Sequence, residues 1–568
     1  MMRPEYPRPS LVREKWRNLN GEWDFLIDNG CSGKERRFYE NADFNMKINV
    51  PFAPETKLSG IENTDFMKSV WYKKTFSLSK TDFSGRIILH FGAVDYLAEV
   101  WINGISAGTH KGGYTPFSFD ITSLCKEGAN TVVVNAFDDT KDPFQPSGKQ
   151  SQQYANFGCL YTRTTGIWQT VWLEFVPDVY LKKLKLTPDV DNEKLYILAT
   201  FNKECKETFS AEALLNGKSV AFTEYKVSGK STETYLDIKN PSLWSLDSPV
   251  LYDLKLKIGS DEALAYFGMR KVALNGYAIE INNKPVFQRL VLDQGFYPDG
   301  VYTAPTDDDL KNDIILSKKA GFNGARLHMK IFEPRLIYWA DKLGYLLWGE
   351  YPNWGLDTDR PAALLGMLSE WVEELERDYN SPAIVGWCPF NELGSAHRMA
   401  DILETVYDVT KAIDPFRPVI DTSGYIHSKK TDIYDVHDYE QDPVKFAEHY
   451  ETLVNGNGER FKNPKEMSQY ADQPFFVSEF GGTWWKCDDT ESSGWGYGKA
   501  PENVEEFYSR YEGLVDALLS NPKMCAFCYT QLTDVMQECN GIYSFWRKAK
   551  FDTERICAIN SKKAAIEK

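Results

Sequence analysis

Two glutamates follow apolar, strand-like runs and are placed to act together on one covalent bond. Glu392 comes directly after "PAIVGWCPFN", and Glu479 lies near the end of "PFFVSEF". A charged side chain is costly to bury without a partner, so a carboxylate at the end of a buried strand is expected to have a partner or a chemical task. Breaking a glycosidic bond needs two carboxyl groups, one to protonate the leaving oxygen and one to meet the oxocarbenium-like carbon. The pair therefore has the residue types that glycoside hydrolysis requires.

The two carboxyl groups would have different tasks. In enzymes that retain the anomeric configuration, the two groups lie about 5 to 5.5 Å apart. Glu392 would act first as the acid and then as the base, with a pKa raised by burial and by the negative charge of Glu479. Glu479 would be the nucleophile, kept ionised by hydrogen-bond donors. Asn391, beside Glu392, is placed to bond a ring hydroxyl of the substrate.

The elements that must position this pair begin near residue 275. From there, apolar strand-like runs alternate with helical segments such as "LKNDIILSKKA", "PRLIYWADKL" and "LLGMLSEWVEELERDY", which predicts parallel strands joined by helices. Eight strand-like runs fit a (β/α)8 TIM barrel, and they are "PVFQRLVLD", "GFNGARLH", "GYLLWGE", "AIVGWCPF", "PVID", "DIYDVH", "PFFVSEF" and "CAFCYTQL". Active sites of such barrels lie at the C-terminal ends of the strands. Because Glu392 and Glu479 follow the fourth and seventh runs, we expect them to converge across the barrel mouth.

The chain before the barrel shows short alternating strands separated by turn residues. "RIILHFGAVDYLAEVWINGISAGTHKGGYTPFSFDIT" predicts a jelly-roll-like β-sandwich, and the runs from "YLKKLKLTPDV" to "YFGMRKVAL" predict a smaller immunoglobulin-like β-sandwich. We therefore expect a multidomain chain, with a jelly-roll-like β-sandwich over 1–178, an immunoglobulin-like sandwich over 179–274 and a catalytic barrel over 275–568.

Composition narrows the classes of partner. The 568 residues carry a formal net charge of -16, and no stretch supplies the clustered Lys and Arg that phosphate binding uses, so we expect no nucleic-acid partner. No run of about 18 apolar residues predicts a membrane span. The N-terminus has charges and prolines where a signal peptide has an apolar core, which predicts a cytoplasmic location. Ten irregularly spaced cysteines favour reduced thiols. A small carbohydrate is the expected partner, and homo-oligomerisation stays open.

At this point a family resemblance is evident. "WCPFNELG" and "FFVSEFGG", on a barrel that follows two β-sandwiches, resemble glycoside hydrolase family 2, which includes β-galactosidases, β-glucuronidases and β-mannosidases. "SVWYKKTFSL" and "TTGIWQTVWLE" resemble the sugar-binding-like N-terminal sandwich of that family, which the resemblance assigns to residues 1–178. "GFNGARLHMKIFEPRLIYWADKLGYLLWGE" resembles its second and third barrel strands. The resemblance runs through nearly the whole chain.

The resemblance implies roles for further residues. It makes Glu392 the acid/base, Glu479 the nucleophile and Asn391 a hydroxyl ligand. The other substrate-site residues that it implies are Arg326 beside the nucleophile, His328 facing the substrate, Tyr439 bonded to the nucleophile and Asp293 as a ligand of distal hydroxyls. For His328 the spacing R-L-H differs from the family's frequent R-x-x-H, so a structural role stays open.

Four more residues are candidates from their positions alone. His437 stands at a predicted strand end, Trp484 and Trp485 follow the strand of Glu479, and Gln531 follows the last strand. Sugars present apolar C–H faces that pack on aromatic rings, so the two tryptophans are candidate substrate contacts. Structural roles remain open for all four. We also interpret "GWGYGKA" as an active-site loop.

Two departures from the family pattern bear on metals and on the sugar. Larger β-galactosidases of the family bind magnesium after the third strand, where this chain has Trp354 in "EYPNWG", so we predict neither a required metal nor another cofactor. β-Glucuronidases carry an N-x-K element where this chain reads "ECN" before "GIYSFWRKAK". The resemblance therefore favours a retaining, exo-acting β-galactosidase-like enzyme over a β-glucuronidase, β-mannosidase or arabinosidase. Two alternatives from other classes are a non-catalytic carbohydrate-binding protein and a metal-dependent barrel hydrolase.

Overall fold

The computed structural model describes residues 3–394, 399–455, 470–485 and 494–568. Its N-terminal part packs a four-stranded sheet (order β1-β12-β5-β9) against a six-stranded sheet (order β3-β2-β4-β10-β7-β8), with β6 and β11 paired beside them. The strands are β1 Trp16–Asn18, β2 Gly21–Ile27, β3 Met46–Val50, β4 Ser69–Leu78, β5 Arg86–Phe91, β6 Val94–Asp95, β7 Leu97–Ile102, β8 Ile105–Lys111, β9 Phe117–Asp120, β10 Gly128–Phe137, β11 Gly166–Ile167 and β12 Val171–Val176, and one short helix is α1 Phe38–Asn41.

Alternation of side chains explains this sandwich. In β2 the rings of Trp23 and Phe25 point to the same side and are buried, with Tyr72 of β4 packed against Phe25. Successive side chains of a strand face opposite sides of the sheet, so alternate apolar residues line the space between the sheets. The predicted N-terminal β-sandwich is confirmed.

The second part is a smaller antiparallel sandwich with sheets ordered β13-β14-β17 and β16-β15-β18-β19. In "YDLKLKI" every second residue is buried, which matches the strand period of two. The predicted immunoglobulin-like sandwich is also confirmed. Its strands are β13 Leu181–Asp189, β14 Lys194–Cys205, β15 Thr208–Leu215, β16 Lys218–Lys226, β17 Gly229–Asp237, β18 Tyr252–Ile258 and β19 Asp261–Phe267.

The third part is a curled parallel sheet surrounded by helices, as predicted for a TIM barrel. A small sheet leads into it, formed by β20 Val272–Asn275, β21 Ala278–Ile281 and β22 Lys284–Pro285. The parallel strands run in the order β26-β25-β24-β23-β29-β28-β27. They are β23 Gln288–Asp293, β24 Gly324–Leu327, β25 Leu346–Glu350, β26 Ile384–Cys388, β27 Tyr434–Asp438, β28 Phe475–Phe480 and β29 Met524–Tyr529.

The fifth predicted strand differs from the sequence expectation. In the described chain "PVID" (418–421) is not a member of this sheet, and two parallel bridges, Trp387 with Val419 and Asn391 with Ser423, hold the segment beside β26. Pro418 has no N–H, and the backbone N–H of Val419 donates to the side chain of Asp432 at 2.9 Å. Because these donors are missing or engaged, the segment cannot build a regular ladder toward β27.

The helices follow the predicted helical segments. "PRLIYWADKL" forms α3, and the other two quoted segments lie in α2 and α4 with shifted ends. Helix α2 begins with a reciprocal capping box between Thr306 and Asp309, which satisfies two N-terminal donors. The helices are α2 Asp307–Lys319, α3 Pro334–Leu343, α4 Pro361–Asp378, α5 Met399–Ile413, α6 Pro443–Asn455, α7 Val504–Leu519 and α8 Thr553–Asn560.

In the described ranges, none of the helices combines the length and the apolar character needed to span a membrane. The nine cysteines that the structure describes are free thiols, and Cys525 and Cys528 are buried in β29.

Candidate active site

The two predicted carboxylates meet at the C-terminal ends of the barrel strands. Glu479 lies in β28, and Glu392 follows β26 by four residues. One carboxylate oxygen of each lies within 4.8 Å of the other, with a ring nitrogen of His437 in the same group. Their side chains are 6% and 19% exposed, respectively. Glu392 has a backbone φ of 48°, in the left-handed region that non-glycine residues seldom occupy and that is often found at functional sites.

Hydrogen-bond donors surround Glu479. The Tyr439 hydroxyl donates to its Oε2 at 2.5 Å, and Nη1 of Arg326 donates to its Oε1 at 3.2 Å. Both hydrogen bonds fix the orientation of the carboxylate at the position of the predicted nucleophile. The structure thus brings Tyr439 and Arg326 to the positions that the family resemblance implies.

Arg326 also connects the nucleophile to the strand-four end. Its Nη2 donates to Oδ1 of Asn391 at 3.2 Å, and its Nε donates to Oε1 of Glu350 at 2.5 Å. The Nδ2 of Asn391 is buried without a partner among the described residues, so it is free to donate to a substrate hydroxyl. Sequence reasoning missed Glu350, although it ends the third strand-like run as Glu479 nearly ends the seventh.

His437 lies between the two carboxylates. Its Nδ1 is 2.8 Å from Oε1 of Glu392, and its Nε2 is 3.5 Å from Oε1 of Glu479 and 2.9 Å from the hydroxyl of Ser423. Burial on its own lowers the pKa of His437, but the charges of Glu479 and Glu392 outweigh it and raise the pKa above the ordinary histidine value. The imidazole is therefore poised to carry a proton next to the predicted acid.

The direction of the Glu392 shift corrects the sequence expectation. Burial raises its pKa, as expected, but the hydrogen bond and charge of His437, together with Lys149 and Arg326, bring the pKa below the ordinary value. Burial is thus outweighed by contacts with His437, Lys149 and Arg326, and of these three residues sequence reasoning did not name Lys149. Nδ1 of His437 and Oε1 of Glu392 lie at hydrogen-bonding distance, so each group lowers or raises the pKa of the other.

His328 also lies beside Glu479, but its pKa is shifted in the opposite direction from that of His437. It is buried, with Nδ1 3.2 Å from Oε2 of Glu350 and 3.9 Å from Oε1 of Glu479. Burial and the charges of Lys149 and Arg326 hold its pKa well below the ordinary value, so the imidazole is neutral.

"GWGYGKA" supplies one wall of the site. The ring of Tyr497 stacks on Tyr439, with centroids 3.4 Å apart and planes 6° apart. Trp484 is half-buried, and its indole N–H lies buried without a partner in the described structure, so it can donate to a polar ligand. Trp485 instead packs its ring against Phe507 and Phe551, which is an apolar packing role.

Two predicted ligands make other contacts. Oδ1 of Asp293 accepts from the backbone N–H of Gly295 at 2.9 Å, and burial with the nearby charge of Asp313 raises its pKa to about 6. The side chain of Gln531 accepts from Gln294 at 2.6 Å and donates to Asn540 at 2.9 Å. The structure therefore places Gln531 in a protein network, and none of these contacts joins Asp293 or Gln531 directly to the carboxylate pair.

The N-terminal sandwich contributes a second wall that sequence reasoning missed. Lys149 is buried with its Nζ 3.9 Å from the ring centroid of Trp354, whose indole N–H donates to the carbonyl of Asn391 at 3.2 Å. The Tyr161 hydroxyl donates to Oε2 of Glu538 in the barrel. Contacts between residues this far apart in the chain leave no local sequence pattern.

The cluster of Glu392, His437 and Glu479 offers two carboxylates and an imidazole, which are suitable ligands for a divalent ion. The prediction that no metal is required remains a prediction. A separate cavity of about 600 Å³ lies between the three parts of the chain, lined by Arg8, Lys185 and Arg377 among others, and none of the candidate residues lines it. The carboxylate pair, not this cavity, has the chemistry of an active site.

Comparisons with known families agree with this geometry. The family models described as "Glycosyl hydrolases family 2, sugar binding domain", "Glycosyl hydrolases family 2" and "Glycosyl hydrolases family 2, TIM barrel domain" match residues 16–173, 179–270 and 272–513.

Relatives and solved structures extend the match. The chain is 28% identical over 443 residues to a putative β-glucuronidase of Formosa agariphila, covering 73% of this chain and 52% of that protein. It is 26% identical to the β-glucuronidase of Rattus norvegicus (73% and 69% covered) and 24% identical to a β-galactosidase of Thermoanaerobacter pseudethanolicus (71% and 54%). A β-glucuronidase of Ruminococcus gnavus in complex with D-glucuronic acid shares the fold, with a TM-score of 0.79 at 19% identity, covering 99% of this chain and all of that one.

Proposed function

The chain belongs to glycoside hydrolase family 2, and on that premise we propose that it is a retaining, exo-acting β-glycosidase with Glu479 as nucleophile and Glu392 as acid/base. The observation that carries this proposal is the close approach of the two carboxylates, within 4.8 Å, at the ends of β26 and β28. Inverting enzymes hold their carboxyl groups about 6.5 to 9.5 Å apart to admit a water between them. Here the separation suits direct attack.

The first chemical step forms a glycosyl-enzyme. Glu479, held by Tyr439 and Arg326, attacks the anomeric carbon, while protonated Glu392, hydrogen-bonded to His437, gives its proton to the leaving oxygen. Tyr439 and Arg326 hold the two oxygens of the nucleophile in place until the bond forms.

The second step needs the opposite protonation of Glu392. As a base, Glu392 takes a proton from water, which attacks the anomeric carbon and frees Glu479. The lowered pKa of Glu392 suits this step, because the carboxylate must be ionised. Asn391, with its unpartnered Nδ2, would donate to a ring hydroxyl, a contact that strengthens in the transition state.

The sugar remains to be assigned within the family. The sequence favours a β-galactoside-like, neutral substrate, since Glu538 and Asn540 stand where β-glucuronidases of the family carry N-x-K. A β-glucuronide is the second candidate, because most of the relatives named above are β-glucuronidases. The β-galactosidase relative supports the first candidate to a similar extent in identity.

Stereochemistry tests the proposed mechanism independently of the sugar. Proton NMR of an early time course with any accepted aryl β-glycoside should show the β-anomer of the free sugar first, because two inversions restore the configuration. Mutarotation then produces the α-anomer at the rate seen in an enzyme-free control. First appearance of the α-anomer would mean that water, not Glu479, attacks the substrate.

A further inference from the structure

The side chain of Lys149 is a buried cation at the wall of the active site. It is 6% exposed, and its Nζ lies 3.9 Å from the centroid of the Trp354 ring. Because the indole of Trp354 donates to the carbonyl of Asn391, a single ring separates Lys149 from the residue that precedes Glu392. Lys149 therefore belongs to the substrate pocket although the N-terminal sandwich carries it.

Lys149 lacks the partner that a buried ammonium needs. Across the described ranges, no ion pair and no hydrogen bond to an oxygen is found for its Nζ, which lies beside the Trp354 ring and the thiol of Cys159. Burial on its own lowers the pKa of Lys149, but Cys159 and carboxylates that include Glu538 and Glu392 raise it, so the group stays charged. An ammonium has three donors and no acceptor, and burying it without acceptors is costly. The donors of Lys149 thus await oxygen atoms of a ligand.

Glu538 is the acceptor counterpart of Lys149 and is held rigidly. It is 3% exposed, and a closed ring of side-chain hydrogen bonds fixes it. Tyr161 donates to Oε2 of Glu538 and Asn540 donates to Oε1 at 3.0 Å, while the ring closes through Gln531 and Gln294, which donates to the Tyr161 hydroxyl at 2.9 Å. Each carboxylate oxygen keeps a lone pair for a further donor.

The pocket already holds a surplus of acidic groups. Burial raises the pKa of Glu538, and the negative charge of Glu479 adds to that rise. Glu350 and Glu392 are two further carboxylates of the site, and the cations that interact with them are Arg326, Lys149 and the protonated form of His437. A uronic acid would add another carboxylate to this region. A neutral sugar would add hydroxyl groups, which both donate and accept.

We propose that Lys149 and Glu538 form a donor–acceptor pair that binds hydroxyl groups of the terminal sugar and selects a neutral sugar over the corresponding uronic acid. This inference rests on the proposed β-glycosidase function and adds its substrate class. Lys149 donates a hydrogen bond to a hydroxyl oxygen of the sugar, and Glu538 accepts a hydrogen bond from a hydroxyl group. The names of the β-glucuronidase relatives point the other way, so the test can decide between the two.

The first measurement compares substrates with the intact protein. We expect kcat/KM for p-nitrophenyl β-galactoside or β-glucoside to exceed that for the matching β-galacturonide or β-glucuronide by about 10²-fold or more, because an unfavourable charge contact is worth several kcal/mol. Equal or better turnover of a uronide overturns the inference.

Variants then test each member of the pair. Glu538→Gln should raise the ratio of uronide to neutral kcat/KM at least tenfold, since the amide keeps an acceptor but removes the charge. Lys149→Met should lower kcat/KM for the neutral sugar by about 10²-fold, the cost of leaving substrate polar groups unpaired. Glu35→Gln and Lys182→Met, at exposed positions, serve as controls and should match the wild type. An unchanged ratio in Glu538→Gln contradicts the inference.

Deoxy sugars separate hydroxyl recognition from a merely structural role. The wild type should discriminate against the 4-deoxy or the 6-deoxy analogue of its preferred substrate by about 10²-fold or more, and Lys149→Met should lose most of that discrimination. If both deoxy penalties persist in Lys149→Met, Lys149 does not contact the sugar. Failure of the β-glycosidase proposal would look different, because Glu479→Gln would then keep its activity on every substrate.

Discussion

Glu392, just after β26, and Glu479, in β28, have carboxylate oxygens within 4.8 Å of each other, yet their surroundings differ. Glu479 accepts hydrogen bonds from Tyr439 and Arg326 and is almost completely buried, whereas the side chain of Glu392 is 19% exposed and has, among the described residues, a hydrogen bond to His437 alone. Fixed donors suit a group that stays ionised until it attacks. A titratable partner suits a group that must give and then take a proton. The surroundings, not the residue type, thus assign the two roles.

The largest effect on activity is expected when the nucleophile Glu479 is replaced. Glu479→Gln keeps the volume and most hydrogen bonds but cannot form the glycosyl-enzyme, so we expect a loss in kcat on the order of 10³-fold or more. The thermal unfolding midpoint should stay near that of the wild type, which distinguishes lost chemistry from lost folding. Retention of more than about a tenth of the activity would contradict the assignment of Glu479.

A second test distinguishes the two carboxylates by the product that forms when azide restores the activity of an alanine variant. In Glu392→Ala, glycosides with poor leaving groups should lose about 10² to 10⁴-fold in rate, while aryl glycosides with phenolate leaving groups should lose far less in the first step. Azide needs no general base, so it should restore turnover of the aryl substrate and give a β-glycosyl azide.

Glu479→Ala is the matched control for this rescue. There azide would enter from the opposite face and give the α-glycosyl azide, since only one inversion occurs. An α-azide from the Glu392 variant would exchange the two roles.

The smallest effect concerns the pH dependence that His437 confers on Glu392. Glycosylation needs protonated Glu392, so kcat/KM falls as the pH rises through its pKa. His437 lowers that pKa, and His437→Gln should therefore raise it and move the basic limb of the pH profile to higher pH. The expected shift is about one pH unit, since a hydrogen bond to a charged group is worth about 1.5 to 3 kcal/mol and Gln retains part of it. His110→Gln, in the N-terminal sandwich, should leave the profile in place; a shift toward lower pH in His437→Gln would refute the coupling.

The parts of this site that sequence predicted are those that strand ends position. Strand period and the C-terminal-end rule placed Glu392 and Glu479 together, and the family resemblance added Tyr439. The same rule applied to "GYLLWGE" would have added Glu350. The pKa direction of Glu392 escaped prediction because it depends on a hydrogen bond to His437 and, to a smaller extent, on Lys149, which reaches the site from another domain. Burial was foreseeable from the sequence, and these contacts were not.

Local sequence patterns also failed where a side chain takes a backbone N–H from a strand, and where an aromatic ring packs in the core instead of the pocket. "PVID" has strand-like composition, but the Asp432 side chain takes the N–H of Val419, which a ladder would need. Trp485 follows the nucleophile strand in the same way as Trp484, yet it packs on Phe507 and Phe551. Sequence spacing alone does not say whether an aromatic ring faces a pocket or an apolar core.

Gly148 has a consequence for how this chain can change over evolutionary time. A Cβ at this position would lie 2.7 Å from the carbonyl oxygen of Met329 and 3.0 Å from Pro352, so the loop of the N-terminal sandwich and the barrel fit together without room for a side chain. The backbone N–H of Ser147 donates to the carbonyl of Trp354 at 2.7 Å in the same contact. If recombination replaced this sandwich with that of a relative, Lys149 and Tyr161 would be lost with it. The recombinant chain would then have the relative's residues in this wall of the pocket.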